Sequence, residues 1–279
     1  MDPYQAVLSR WSGAAPFWDK YRETIRRMFA PVTEALICDA GIGDGQRVLD
    51  VGTGPGEPAL SIAEAVGSQG RVCGIDPVLE MVAAARRRAD ECGVRNAGFV
   101  MAFADALPYA AGRFDAVVSR FGVMFFPSPV AGVREMLRVL KAGGRLALAV
   151  WAAVDDNPFF GAVERVVDRH VESPIRGGDA PDAFRFARPG KLLEVFAEAA
   201  VVESRERLLR FRVEARLSAE EFWTLRCEMS ERLRERVATL PAERLAVVKG
   251  EAIEALRAYC TADGISLPAQ VLIVSGRRS

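Results

Sequence analysis

The chain has 279 residues, half of them hydrophobic, which is enough to bury a large core in one domain with additional segments. Its 37 basic and 37 acidic side chains give a formal net charge of zero, so no bulk positive charge points to nucleic acid or to an anionic membrane. The five cysteines are scattered and form no C-x-x-C pair, which argues against a zinc site or a disulfide framework and favours reduced thiols in a cytoplasmic protein.

Aromatic residues are concentrated near the start of the chain, at Trp11, Phe17 and Trp18. The apolar positions that follow them recur at helical spacing. This pattern predicts a helical N-terminal segment over residues 1–45, which ends in the glycine-containing turn at 41–45.

From residue 46 to residue 152, short apolar runs alternate with helical patterns. Continuous apolar runs such as 116–118 are typical of strands that are buried on both faces of a parallel sheet. The predicted strands are 47–51, 71–75, 98–102, 114–119 and 145–151, and the predicted helices are 58–66, 79–91 and 130–140. This alternation predicts an α/β core over residues 46–152.

Two segments interrupt the alternation after residue 152. Residues 153–188 combine a helical pattern with a stretch rich in Gly, Pro and Asp, and residues 218–263 carry two helical patterns. Ser218 opens a capping box that predicts a helix over 218–239, and a second helix is predicted over 241–260. We predict that both segments are helical lid insertions that supply the substrate pocket.

The remaining segments return to the pattern of the core. Residues 189–217 contain a predicted helix over 189–200 and a long predicted strand over 201–214. Residues 264–279 contain the last predicted strand, over 269–275. We expect these two strands to form an edge pair of the sheet, with the helices of the second insertion between them in sequence.

The most informative motif is the glycine-rich loop after the first predicted strand. A dinucleotide-binding loop has the spacing G-x-G-x-x-G, and Gly52 and Gly54 fit its first two positions. The third position holds Glu57, the next glycine comes one residue early at Gly56, and an acid, Asp50, stands at the strand end. These differences argue against an NAD-dependent oxidoreductase, and the pattern Asp-x-Gly-x-Gly-x-Gly resembles that of class I S-adenosyl-L-methionine (SAM) methyltransferases.

Two further acids follow the next two predicted strands. Asp76 ends the second strand, 20 residues after Gly56, and one carboxylate there can accept hydrogen bonds from both hydroxyls of a ribose. The segment Ala104-Asp105-Ala106-Leu107-Pro108-Tyr109 looks like a family segment in which the acid receives the adenine amino group. Both acids are in register with the glycine loop.

Residues 48–151 therefore resemble a SAM-dependent methyltransferase domain, in the branch that includes ubiquinone/menaquinone-biosynthesis methyltransferases and many small-molecule methyltransferases. The resemblance implies a Rossmann-like α/β fold, with a seven-stranded, mostly parallel sheet, one antiparallel strand and helices on both faces. It implies that the N-terminal helical segment is a cap that closes over the cofactor. It also implies SAM as cofactor and S-adenosyl-L-homocysteine (SAH) as the product of the cofactor.

The resemblance implies a cofactor site made of Asp50, Gly52, Thr53, Gly54, Gly56, Asp76, Pro77, Met81, Ala104, Asp105, Ala106 and Arg120. The glycines leave room for the methionine portion of SAM. Asp50 either accepts hydrogen bonds from the charged methionine end or orients the loop. Arg120 binds the SAM carboxylate or an acidic substrate, or it forms a structural salt bridge, and Met81 either covers the adenine or belongs to the helix core.

A catalytic base is harder to assign. His170 is the only histidine, and its pKa range would suit a general base, although a surface histidine is the alternative. Asp155 and Asp156 are the other candidates. We expect no metal, because no constellation of acids suggests a divalent-metal site.

The expected activity is metal-independent methyl transfer from SAM to a small, partly apolar molecule, at oxygen or carbon. A SAM-binding regulatory protein without catalysis and an N-methyltransferase of a small molecule are the alternatives. We expect no nucleic-acid partner and no membrane partner, since the N-terminus is polar and no apolar run approaches the roughly 20 residues of a membrane span. The apolar positions of the predicted helix 218–239 allow a homodimer.

Overall fold

Eight strands form one mixed sheet in the computed structural model, which describes residues 2–172 and 180–279. The strands are β1 (Arg47–Val51), β2 (Arg71–Asp76), β3 (Ala97–Met101), β4 (Phe114–Arg120), β5 (Leu140–Trp151), β6 (Val202–Ala215), β7 (Cys260–Thr261) and β8 (Gly264–Arg277). Seven of them lie in the order β3-β2-β1-β4-β5-β8-β6, and the two-residue β7 pairs with β8 beside this path.

The directions of the strands confirm the sheet that the resemblance implied. The β1–β2, β2–β3, β1–β4 and β4–β5 pairs are parallel. Strand β8 runs antiparallel to both β5 and β6, so it is the reversed strand, and β6 and β8 form the expected edge pair. Chain order reverses between β1 and β4, and in such sheets ligands bind outside the carboxyl ends of the strands at this point.

Helices flank this sheet. They are α1 (Pro3–Lys20), α2 (Arg22–Met28), α3 (Ala30–Asp39), α4 (Ala59–Ala65), α5 (Leu79–Glu91), α6 (Pro129–Val139), α7 (Pro158–Asp168), α8 (Lys191–Glu198), α9 (Ala219–Met229), α10 (Glu231–Ala238) and α11 (Ala242–Leu256). No helix among the described residues is long and apolar enough to cross a membrane.

The N-terminal helix α1 lies across the carboxyl edge of the sheet. Asp2 caps it through a hydrogen bond from the backbone N–H of Tyr4, and Pro3 occupies the first helical position, where its missing N–H costs nothing. The helix packs against α5, where Ala15 meets Val78 and Met81, and also against α9 and α10. It therefore joins the core to the segment between β6 and β8.

The prediction of one helix over 218–239 is wrong. The structure has two helices there, α9 and α10, which are separated by Ser230 in an extended conformation. The Ser230 hydroxyl accepts a hydrogen bond from the backbone N–H of Leu233, so it caps the start of α10. The apolar spacing continues through the break, which is why spacing alone did not reveal it.

Other boundaries shift by a few residues. Strand β5 begins at Leu140 rather than at residue 145, and β8 begins at Gly264 rather than at residue 269. Helix α8 begins at Lys191, after Gly190 in a left-handed conformation, so Pro189 precedes the helix instead of opening it. Residues 173–179 of the first predicted lid insertion lie outside the described residues, and the division into core and lids stays a prediction.

Candidate cofactor and acceptor site

A cavity of about 230 Å³ opens at the carboxyl ends of β1, β2, β4 and β5. Its wall includes the last residue of each of these strands, Val51, Asp76, Arg120 and Trp151. Residues of α1, α7 and α9 complete the wall on the side away from the sheet. The cavity therefore lies where the strand order reverses, as expected for a ligand site in a sheet of this kind.

The glycine loop after β1 forms one wall of the cavity through Gly52, Thr53 and Gly54. Gly52 has φ +77° and Gly54 has φ +54°, which are left-handed conformations that favour glycine. A Cβ on Gly52 would lie 3.2 Å from the Cα of Gly122, whereas a Cβ on Gly54 would meet no atom within 4 Å. The space beside Gly54 is therefore a cradle that a side chain would fill, and it fits the close approach of the methionine portion of SAM to the loop backbone.

Asp76 joins the glycine loop to helix α5. One carboxylate oxygen, Oδ2, accepts a hydrogen bond from the Gly54 N–H at 3.0 Å, and Oδ1 accepts one from the Val78 N–H at 3.0 Å. Burial raises the pKa of the Asp76 carboxyl to about 6, although the Val78 and Gly54 N–H groups act in the opposite direction. Each oxygen keeps acceptor capacity, and the residue lines the cavity, so its position suits the predicted contact with two ribose hydroxyls.

Two predicted loop residues, Asp50 and Gly56, lie behind the cavity wall. Asp50 is fully buried, and its Oδ2 accepts a hydrogen bond from the Ala59 N–H at 3.2 Å. Burial raises the pKa of the Asp50 carboxyl to about 7, against the opposing effects of the Thr53 hydroxyl and the Arg120 guanidinium. This placement favours the role of Asp50 in orienting the loop over direct contact with the methionine end, and Gly56 sits against α4 and α5 below the loop.

Arg120 is a buried cation at the end of β4. Its Nη1 donates a hydrogen bond to the Thr33 hydroxyl at 2.8 Å, and its Nη2 donates one to the backbone oxygen of Glu57 at 3.3 Å. Burial lowers the pKa of the Arg120 guanidinium, and the charges of Glu57 and Asp50 oppose this effect. Arg120 therefore holds α3 to the loop through hydrogen bonds and also lines the cavity, and its contact with the SAM carboxylate or an acidic substrate stays a prediction.

The adenine side of the site has only part of the predicted residues on the cavity wall. Pro77, Met81 and Ala104 line it, but Asp105 and Ala106 do not. The Asp105 carboxylate instead accepts a hydrogen bond from the Tyr4 hydroxyl of α1. Helix α1 thus covers the acid that the resemblance places at the adenine amino group.

Trp18 of α1 also lines the cavity. Its indole Nε1 is buried and has no hydrogen-bond partner among the described residues. A buried indole N–H normally finds an acceptor, because leaving it unpaired costs about 1–3 kcal/mol. The sequence pointed to Trp18 as part of a helical cap, but only the fold shows this free donor at the cavity wall.

The opposite half of the cavity is aromatic. The rings of Phe121 and Trp151 stack with centroids 4.5 Å apart, and Phe159 is parallel to Trp151 at 6.0 Å. Phe160 meets Trp151 edge-on at 4.9 Å. Phe121 directly follows β4, Trp151 ends β5, and Phe159 and Phe160 belong to α7. No pattern in the sequence indicated that these rings would meet, because Phe159 and Phe160 fit an ordinary helical pattern.

The position of His170 does not favour its predicted role as the general base. The residue lies just beyond the end of α7, and it is not among the described residues that line the cavity. Its side chain is 7% exposed, and Nε2 lies 3.0 Å from the Glu251 carboxylate of α11. His170 therefore ties the end of α7 to α11. The other candidate acids, Asp155 and Asp156, do not line the cavity either.

We expect the substitution His170→Gln to leave catalysis intact. The rate constant kcat for SAH formation should stay within about threefold of that of the unmodified chain with any accepted substrate, while the loss of the Glu251 contact lowers the melting temperature. A kcat reduced by roughly two orders of magnitude, the scale of general-base loss, with unchanged SAH affinity would contradict this assignment.

Comparison with known proteins identifies the domain around the glycine loop. Residues 48–144 match the model of a family described as a methyltransferase domain. The chain is 37% identical over 119 residues to aklanonic acid methyltransferase DauC of Streptomyces sp. (strain C5), covering 43% of this chain and 54% of that protein. It is 34% identical over 132 residues to the ubiquinone/menaquinone biosynthesis C-methyltransferase UbiE of Edwardsiella ictaluri, covering 47% of this chain and 51% of that protein.

The fold extends beyond the matched region. The crystal structure of the YcgJ protein from Bacillus subtilis superposes with a TM-score of 0.56 at 22% identity, covering 89% of this chain and 98% of that one. The chain spans about half the length of the curated relatives that it matches. The glycine loop and Asp76 both lie within residues 48–144, the segment of this chain that matches a methyltransferase domain.

Proposed function

We propose that the protein transfers a methyl group from SAM to a small, partly apolar molecule, at oxygen or carbon and without a metal ion. The proposal rests on a single cavity whose two halves differ in chemical character. The glycine loop and Asp76 form one half, and a group of aromatic rings forms the other. The first half suits a nucleoside with a charged tail, and the second suits an apolar acceptor.

Each half has a separate task. The loop backbone at Gly52–Gly54 holds the methionine portion of SAM, and Asp76 holds its ribose. When bound, SAM supplies a sulfonium methyl group; an oxygen or carbon nucleophile can attack its carbon while the C–S bond breaks and SAH leaves with the electron pair. The aromatic rings exclude water and orient the acceptor, which is the main contribution that such a displacement needs from the protein.

The names of two relatives agree with an acceptor of this kind. One is named for aklanonic acid, a small molecule, and the other is named as a C-methyltransferase of quinone biosynthesis. These names support a small-molecule acceptor for the present chain. The aromatic half of the cavity supports its partly apolar character.

Calorimetry with SAM and SAH tests the proposal directly. We expect both ligands to bind with one site per chain, and SAH to form when a cell-derived small-molecule fraction is added with SAM. Binding without SAH formation from any acceptor would favour a regulatory SAM-binding protein. Absence of binding of either ligand would overturn the proposal.

The substitution Trp18→Phe should weaken SAH binding by about three- to tenfold. It removes the indole N–H, which we expect to donate to an oxygen of the bound ligand, and a neutral hydrogen bond is worth about 0.5–1.5 kcal/mol. The matched control is Trp223→Phe, because Trp223 is also buried but does not line the cavity. Calorimetry should show unchanged SAH affinity in the control, and equal effects of both substitutions would count against a Trp18 contact.

A further inference from the structure

Arg226 interrupts the buried face of helix α9. Its neighbours one turn away on this face, Phe222 and Met229, are apolar and buried, yet Arg226 is itself only 3% exposed. It lines the cavity beside the aromatic rings. Burying a cation costs free energy unless partners compensate its charge. The contacts of Arg226 therefore indicate its role.

The described partners of Arg226 do not use its full bonding capacity. A guanidinium has five N–H donors. Here Nη2 donates one long hydrogen bond to Glu164 at 3.5 Å, and Nε is buried without a partner among the described residues. The guanidinium carbon lies 4.6 Å from the ring centroid of Phe159 and 4.7 Å from that of Phe160, so the cation contacts two rings that stand at 81° to each other.

The same rings connect Arg226 to the glycine loop. Phe160 and Phe159 both contact Trp151, and Trp151 stacks on Phe121, which adjoins Gly122 beside the loop. An acceptor that lies along these rings thus has the cofactor half of the cavity at one end and the buried cation at the other.

We propose that the acceptor is a flat aromatic molecule with an anionic oxygen group, and that Arg226 binds this group. This inference rests on the proposed function and specifies the acceptor of the same site. A carboxylate or ionised hydroxyl would satisfy the unpaired N–H and replace the weak contact with Glu164 by a charge-assisted hydrogen bond. A neutral group of the same shape would leave the buried cation unsatisfied, so the site discriminates by charge.

The experiment compares two probes of equal shape, 2-naphthoate and 2-naphthamide, by calorimetry with the whole chain saturated with SAH. We expect the acid to bind at least tenfold more tightly than the amide. In Arg226→Met this preference should disappear, and Arg226→Lys should restore part of it. In Glu164→Gln the preference should increase a few-fold, because a competing negative charge is removed.

Arg236 provides the matched control. It is a buried arginine of α10 whose Nε also lacks a described partner, but it is bonded to Asp168 and to the backbone of Val171 and does not line the cavity. Arg236→Met should keep the preference for the acid. If Arg226→Met does not fold, the other two variants still test the anion site. The preference for the acid should be smaller than in the unmodified chain in Arg226→Lys and larger in Glu164→Gln.

The outcomes separate this inference from the proposed function. A chain that binds SAH but prefers neither probe, or keeps its preference in Arg226→Met, retains the proposed function and overturns the anion site. If the chain binds no SAH, the probes are titrated into the chain alone, and an acid preference that depends on Arg226 would then support the anion site and contradict the proposed function.

Discussion

The substitution Asp76→Asn should weaken SAH binding by roughly 10- to 150-fold, which corresponds to the loss of about 1.5–3 kcal/mol for a hydrogen bond to a charged group. Asp76 now accepts from the N–H groups of both Gly54 and Val78. Asparagine has one acceptor oxygen, so its amide nitrogen must face one of these two donors. The variant therefore loses the charge that holds the ribose and also disturbs the loop that approaches the methionine portion.

The same substitution should reduce the pH dependence of binding. The pKa of Asp76 is raised to about 6 and that of Asp50 to about 7, both from 3.8, because both carboxyls are buried. The ionised carboxylate is the stronger acceptor, so the contribution of Asp76 to SAH affinity should be complete above about pH 7 and fall as the pH drops through 6. In Asp76→Asn only the contribution of Asp50 remains in this window.

The stability of the ligand-free protein should change in the opposite direction. Between about pH 4 and 7 the folded chain binds more protons at these two carboxyls than the unfolded chain does. Its free energy of unfolding therefore falls as the pH rises through this window. Calorimetry and thermal unfolding across pH 5–8 measure both trends on the same samples.

Glu80→Gln is the control for the Asp76 experiment. Glu80 is an exposed acid in the first turn of α5, and its removal takes away the same charge from the same end of the helix. We expect its SAH affinity to stay within twofold of the unmodified chain. If Asp76→Asn and Glu80→Gln weaken binding equally, the effect is general electrostatics and the ribose assignment fails.

The cofactor half of the site was predictable because its residues are close in sequence. The glycine loop and Asp76 lie on one strand-turn-helix-strand unit, whose spacing alone brings them together. Local spacing does not show which of these residues are buried behind the cavity wall or covered by another element. It did not show that Asp50 lies behind the loop, or that Tyr4, about 100 residues away, covers Asp105.

The acceptor half was not predictable, because its residues are far apart in sequence. Trp151, Phe159 and Arg226 come from β5, α7 and α9, and they meet only because the sheet and α1 bring these elements together. In sequence Arg226 is one charged residue in a helix, which normally indicates a solvated position. Its spacing did indicate burial, since Arg226 falls on the same helix face as Phe222 and Met229. The spacing does not reveal which cavity this face borders.

The substitution Gly54→Ala should reduce SAH affinity by at least 30-fold, because the added Cβ fills the cradle beside the loop. Gly93→Ala is a matched control, since Gly93 also has a left-handed φ, +67° against +54°, and open space where its Cβ would lie. Both substitutions should cost about 1–2 kcal/mol of stability from backbone strain. Thermal unfolding should therefore show similar losses, while calorimetry at a temperature where both variants are folded should show lost binding in Gly54→Ala only. Full binding by Gly54→Ala would mean that the ligand does not approach this backbone, and the assignment of the glycine loop to the methionine portion of SAM would have to be abandoned.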